Sequence, residues 1–150
     1  MKSYPLGVVL KVGSVVLTVK VSDLQAVKDY VAWRFNYTSD REQRGVPEHW
    51  VDTEELKHLE DTNRGGFKDD CDGHALACRY QLRKLGIPSR LVFCYVTPGM
   101  PRNKGHLVLE VEGWVLDNRH KWVRGKDDLG YEWSTISGFE KGDPWHTIKE

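Results

Sequence analysis

Apolar residues along this chain recur first at every second position, then at every third or fourth, then at every second again. Val8, Leu10 and Val12 alternate with Val9 and Lys11, and Leu17, Val19 and Val21 alternate with Thr18 and Lys20. These two runs, Leu6 to Val12 and Val15 to Val21, flank Gly13-Ser14 and predict a β-hairpin. Ser22 or Asp23 then caps a helix with apolar positions at Leu24, Val27, Tyr30, Val31 and Phe35. Asn36 to Val46 is polar and reads as loop. A short helix starts at Asp52 or Thr53, with Glu54 and Glu55 in its favourable first turn, and Asn63-Arg64-Gly65-Gly66 ends it.

The clearest helical stripe follows. Cys71, Ala75, Cys78, Leu82 and Leu85 are spaced by four, three, four and three residues and share one face. Asp70 can cap this helix, while Gly86 and Pro88 supply the stop. Beyond Pro88 the period returns to extended. Arg90 to Val96 predicts a buried strand, and Thr97 to Lys104 a surface loop with two prolines. Gly105 to Val111 and Trp114 to Asn118 form a second hairpin across Glu112-Gly113. Arg119 to Gly130 reads as a charged loop, Tyr131 to Ile136 as a last strand, and 137–150 as a polar tail. Helices first and antiparallel strands after the central helix predict an α+β fold in one domain over 1–150, with 1–21 an extra hairpin.

Composition narrows the function classes. At 150 residues the chain buries roughly 70% of its unfolded surface, enough for a real core. Lys plus Arg and Asp plus Glu are both 22, so no net field favours nucleic acid or an anionic membrane as partner. Three cysteines cannot all pair, which points to a reducing compartment. No signal-like or membrane-spanning run is seen. The expectation is a cytoplasmic protein, of a size that fits a phage-encoded or accessory role.

Within that frame the candidate chemistry centres on Cys71. A thiol in the first turn of a helix meets the positive end of the macrodipole and unpaired N–H groups, both of which favour the thiolate. The second hairpin offers a base. With Glu112-Gly113 as the turn, Val111 pairs with Trp114, Val108 with Asp117 and His106 with Arg119. His106 and Asp117 then share a face as diagonal neighbours about 7–8 Å apart at Cα, within reach of an imidazole and a carboxylate. Asn118 falls on the opposite face. A helix-borne cysteine, a strand-borne histidine and a carboxylate on the next strand satisfy the logic of a Cys–His–Asp triad.

Four segments carry a resemblance: Asp70-Cys71-Asp72, Leu85 to Val92, Gly105 to Leu109 and Trp114 to Asn118. Their order resembles the bacterial transglutaminase-like cysteine proteinases, which include the adhesin-cleaving LapG-type proteases. Asn36-Tyr37, Asp40, Gly45 and the Trp50 to Glu54 stretch are also similar to that family's lead-in, so the likeness spans roughly residues 22 to 135. It implies a papain-like fold of the transglutaminase type, with Cys71 as nucleophile, His106 as base and Asp117 as orienter. The implied activity is cysteine peptidase or amidase, acting on a protein or peptide through a thioester. Two alternatives stand beside it: acyl transfer to an amine, and a binding module that keeps the fold without turnover. Related transglutaminases use an indole N–H for the oxyanion, which makes Trp50 a candidate. No cofactor is required, but LapG-type enzymes use calcium beside the cysteine, and Asp70 and Asp72 match acidic positions there.

The chain departs from the family pattern with Asp69 before the Asp-Cys pair and Gly73-His74 after it. Asp69, Asp70 and Asp72 are otherwise solvated or helix-capping carboxylates. Cys71, His74 and Cys78 lie at i, i+3 and i+7, a zinc-compatible spacing without a fourth ligand in sequence. His74 is expected at the surface or cleft edge, and Cys78 and Cys94 in the core.

Overall fold

In the computed structural model, which describes residues 7–12, 15–42, 50–63, 69–102 and 104–148, two sheets and three helices follow the predicted order. The side chains of 7–12, 15–18, 35–42, 60, 63, 69 and 70 are outside that description, as are the Gly13-Ser14 turn and the Arg64-Gly65-Gly66 break. Strands β1 (Gly7–Val12) and β2 (Val15–Lys20) pair antiparallel from Val12↔Val15 outward. Helix α1 (Val21–Glu42) starts directly after β2. Its cap is set from inside: Lys20 N–H donates to Asp23 Oδ2 at 3.0 Å, so Asp23 reaches back from the third helical position. The Asn36 to Val46 reading is corrected over its first half, since α1 continues to Glu42. No glycine or proline interrupts residues 36–42, and an established helix propagates at little cost.

Helix α2 (Thr53–Asn63) is capped by Asp52, whose Oδ1 accepts the Glu55 N–H at 2.9 Å. Helix α3 (Asp69–Lys84) ends in a Schellman motif. Ile87 N–H donates to Leu82 O at 2.9 Å and Gly86 N–H to Arg83 O at 3.0 Å, with Gly86 at φ 75°. Cys71, Ala75, Cys78 and Leu82 are all buried, as the stripe predicts, but Leu85 is exposed. It lies one residue past the last helical turn, where the chain leaves the stripe for the cap.

Strands β3 (Arg90–Tyr95), β4 (His106–Val111), β5 (Trp114–Leu116), β6 (Arg124–Gly125), β7 (Glu132–Ile136) and β8 (His146–Thr147) form an antiparallel sheet in the order β6-β5-β4-β3-β7-β8. The β4–β5 turn has φ 46° at Glu112 and φ 87° at Gly113, both positive as a type I′ hairpin requires. Its register is the predicted one, with Val111↔Trp114 and Leu109↔Leu116. Two stretches read as loop or tail carry strands: β6 pairs with β5, and β8 adds an edge to β7. Such short edge strands leave too little alternation to be seen in sequence.

The sheet has two apolar faces. Leu91, Phe93, Leu107, Leu109 and Leu116 pack with the α3 stripe and with Leu24, Val27 and Val31 of α1. Val92, Cys94, Val108, Val115 and Leu129 pack with Tyr131, Trp133 and Ile136 on the other. This is an α+β fold, with α3 laid across β4. No described helix is long and apolar enough to cross a membrane.

Candidate active site

The strand register brings His106 and Asp117 together at one end of the sheet. Helix α3 turns straight into β3 through Gly86 to Ser89, so the two run antiparallel. From Lys84 back to Cys71 is roughly 20 Å of helix rise, and from Arg90 to Tyr95 roughly 17 Å of strand. The cysteine end of α3 therefore lies near the Cys94-Tyr95 end of β3. There, Cys94 pairs with His106, the first residue of β4, and its Sγ donates to His106 O at 3.4 Å. Asp117 follows the last residue of β5 at the same end. Cys71 acts electrostatically on Cys94, in keeping with this placement.

The hairpin delivers the imidazole to the carboxylate. His106 Nε2 lies 2.7 Å from Asp117 Oδ1, with both residues buried. Oδ1 also accepts the Arg119 N–H at 2.9 Å, and Oδ2 accepts the Tyr131 hydroxyl. Burial opposes ionisation of Asp117, but the His106 hydrogen bond and charge, the Tyr131 hydroxyl and the Arg119 amide outweigh it and hold the carboxyl at about 2. Burial and the same carboxylate push Tyr131 up, so its phenol stays protonated. His120 Nε2 sits 3.2 Å from the Tyr131 oxygen and 4.0 Å from Asp117 Oδ2.

All three cysteines are buried thiols rather than disulfides. Burial raises Cys78 to about 12, against a smaller opposing pull from Lys28, and pushes Cys94 higher still. Both belong to the core, as expected. His74 does not lie at the surface. It is buried on α3, its Nε2 3.8 Å from Cys78 Sγ, because a position one turn from Cys71 falls on the packed side of the helix. Burial, then the Lys28 charge, lowers it to about 3, so it is a neutral imidazole.

The structure does not bring Trp50 to Cys71. Its indole stacks on Tyr80 at 6.1 Å and 19° and tilts against Tyr30 at 5.4 Å. Tyr80 stands nine residues along α3 from Cys71, roughly 13 Å of helix rise. Trp50 is thus a core wall between α1 and α3. It also lines a cavity of about 320 Å³ with Leu76, Tyr80 and Arg83, while a second cavity, of about 430 Å³, lies among Val27, Tyr30, Leu85 and Ile87. Neither is lined by Cys71 or His106.

The calcium expectation for Asp70 and Asp72 calls for six to eight oxygens. Asp72 is buried and its Oδ1 accepts the Gly73 N–H at 2.6 Å, a use of the carboxylate within the first turn of α3. The Asp70 side chain lies outside the described residues, and among those described no group of three His, Cys, Asp or Glu could hold a metal. The Cys71, His74 and Cys78 zinc spacing likewise gathers no further ligand there.

Sequence reasoning missed Tyr131, His120 and Lys28. Lys28 is only 4% exposed, and its charge acts on Cys78 and Asp117. Its position, four after Leu24 and three before Val31, falls on the apolar face of α1; only its residue type hid it.

Among proteins of known function and among solved structures, nothing matches the chain at a significant level. A family model does: that of the bacterial transglutaminase-like cysteine proteinases matches residues 11–150. With nearly the whole chain covered, including α3 and both strands of the β4–β5 hairpin, the chain belongs to the bacterial transglutaminase-like cysteine proteinases.

Proposed function

We propose that this cysteine proteinase cleaves a protein substrate with Cys71 as nucleophile, His106 as base and then acid, and Asp117 as orienter. The observation that carries this reading is the 2.7 Å contact between His106 Nε2 and Asp117 Oδ1. With Nε2 committed to the carboxylate, Nδ1 is the nitrogen that exchanges a proton with the thiol. His106 Nδ1 takes the Cys71 Sγ proton as sulfur bonds to the amide carbon. The tetrahedral oxyanion is met by the Cys71 backbone N–H at the positive end of α3. Collapse breaks the C–N bond, and the proton on Nδ1 passes to the departing amine, leaving a thioester. His106 then draws a proton from water, whose oxygen attacks the thioester carbon. The acid product leaves, and the thiol regains its proton. Asp117 keeps its negative charge throughout and stabilises the imidazolium of each charged stage. No step needs a metal or cofactor.

The test is the pH dependence of iodoacetamide labelling, resolved by cysteine with mass spectrometry. Cys71 is expected to label well below pH 8 while Cys78 and Cys94 do not, and His106→Ala to abolish that preference. If Cys71 labels no faster than an ordinary thiol of pKa about 8.5, the reading is overturned in favour of a binding module on the same fold.

A further inference from the structure

The second oxygen of Asp117 has its own holder. We propose that Tyr131, backed by His120, is a positioning residue whose hydroxyl clamps Asp117 Oδ2 so that Oδ1 meets His106 Nε2 in a single orientation. The proposal rests on the reading of Cys71, His106 and Asp117 as the catalytic group and extends it by two residues.

A carboxylate held at one oxygen still swings about its Cβ–Cγ bond. Asp117 is held at both: Oδ1 by His106 and the Arg119 amide, Oδ2 by Tyr131. The direction of each hydrogen bond follows from proton counting. Tyr131 has one hydroxyl proton, given to the carboxylate, so its oxygen is left as acceptor toward His120. His120 must then donate through Nε2–H across the 3.2 Å contact. The chain reads His120 to Tyr131 to Asp117, with His106 donating from the other side, and every donor points toward the same buried charge.

The backbone sets this up. His120 N–H donates to Asp117 O at 3.2 Å, folding residues 117–120 into a turn that returns the His120 ring over Tyr131. The two rings stack at 6.5 Å and 28°. The Tyr131 ring also meets the His106 ring edge-on at 6.1 Å and 82°, so the phenol borders the imidazole it helps to orient. It packs on Trp133 at 5.3 Å, which fixes it to β7 on the opposite side of β3 from β4. Carboxylate and imidazole are thus gripped from separate strands of the sheet.

Tyr131→Phe removes one oxygen and keeps the ring contacts, which makes it the discriminating variant in the full-length chain. Two readouts are taken beside thermal unfolding: the Asp117 carboxyl titration by carbon-detected NMR, and the rate of Cys71 alkylation by iodoacetamide at pH 6.5. The expected result is an Asp117 titration displaced upward and alkylation slowed roughly 10-fold, the weight of one hydrogen bond to a charged group. His120→Ala should move both in the same direction by less. An unchanged Asp117 titration in Tyr131→Phe overturns the proposal. So does a displaced titration with unchanged alkylation of an activated wild-type Cys71. If wild-type Cys71 reacts as an ordinary thiol while the titration still moves, the clamp stands and the peptidase assignment falls instead.

Discussion

His106 Nε2 lies 2.7 Å from Asp117 Oδ1, and the carboxylate side of that contact is 1% exposed. A buried charge at this distance from an imidazole fixes which ring nitrogen carries the proton, and its loss is felt in both chemistry and stability.

Asp117→Asn is the first consequence. The carboxyl titrates at about 2 in the folded chain against about 3.9 for an unperturbed aspartate. Its folded pKa is depressed, so the stabilisation is present above the unfolded value and is lost as pH falls from about 5 through 2. Through this carboxyl alone the wild type should lose on the order of 2 kcal/mol over that window in urea unfolding, and Asp117→Asn should lose less than the wild type by that amount. Peptidase activity should fall roughly 10²–10⁴-fold, because an amide neither supports the imidazolium nor enforces the tautomer.

His74→Phe tests the buried imidazole one turn behind Cys71. Burial lowers His74 from 6.5 to about 3, so between those values the unfolded chain binds a proton that the folded chain refuses. Stability contributed by keeping this ring neutral is full above about pH 6.5 and drains as pH drops, by up to about 1.4 kcal/mol per pH unit. Replacing the ring with phenylalanine should flatten the melting temperature against pH between 6 and 4, with little change at pH 7.5. A variant that remains as acid-sensitive as the wild type would show that His74 titrates freely.

Which parts were legible in the sequence depended on whether local rules decided them. The β4–β5 register was readable because a two-residue turn leaves one alignment, and that alignment set His106 and Asp117 on one face. The α3 stripe and its Gly86 stop were readable for the same reason. Tyr131 was not, since its approach to Asp117 depends on how β7 aligns with β3, where the register shifts between Phe93 and Cys94. The segment read as a tail is fixed at its start by partners far away in sequence: Arg79 Nη2 donates to Phe139 O at 2.7 Å, and Leu91 N–H to Ser137 Oγ at 2.9 Å. Trp50 shows the converse. An aromatic just before a helix fits a cleft wall or a core wall equally well, and the packing of α1 on α3 chose the core.

Gly86→Ala isolates the cost of the α3 terminus. Gly86 sits at φ 75° with nothing within 4 Å of where a Cβ would stand, so no clash contributes. The penalty is backbone strain alone, about 1 kcal/mol, which lowers the melting temperature by roughly 2–4 °C in a chain of this size. Gly86→Asn should recover part of it, since asparagine tolerates the left-handed region. Equal losses for both variants would mean that the turn is held by something other than its φ.

The Arg79–Glu55 pair makes the sharpest stability prediction. Arg79 is 2% exposed and Glu55 5%, with Nε 3.1 Å from Oε1, while Arg83 takes Oε2 at 2.7 Å. Arg79 also reaches the carbonyls of Gly138 and Phe139, so one guanidinium ties α2, α3 and the segment leading to β8. Glu55→Gln leaves Arg79 buried beside a neutral amide and strips Arg83 of its counter-charge. The expected loss is roughly 3–5 kcal/mol, measured by urea unfolding at pH 7. Removing both charges, as Glu55→Leu with Arg79→Leu, should cost less than Glu55→Gln alone, because no uncompensated ion is left in the core. The double variant should still free residues 137–148, seen as faster amide exchange at Leu91 and Ser137. If it is instead the less stable of the two, Arg79 contributes chiefly through its carbonyl contacts rather than through the ion pair.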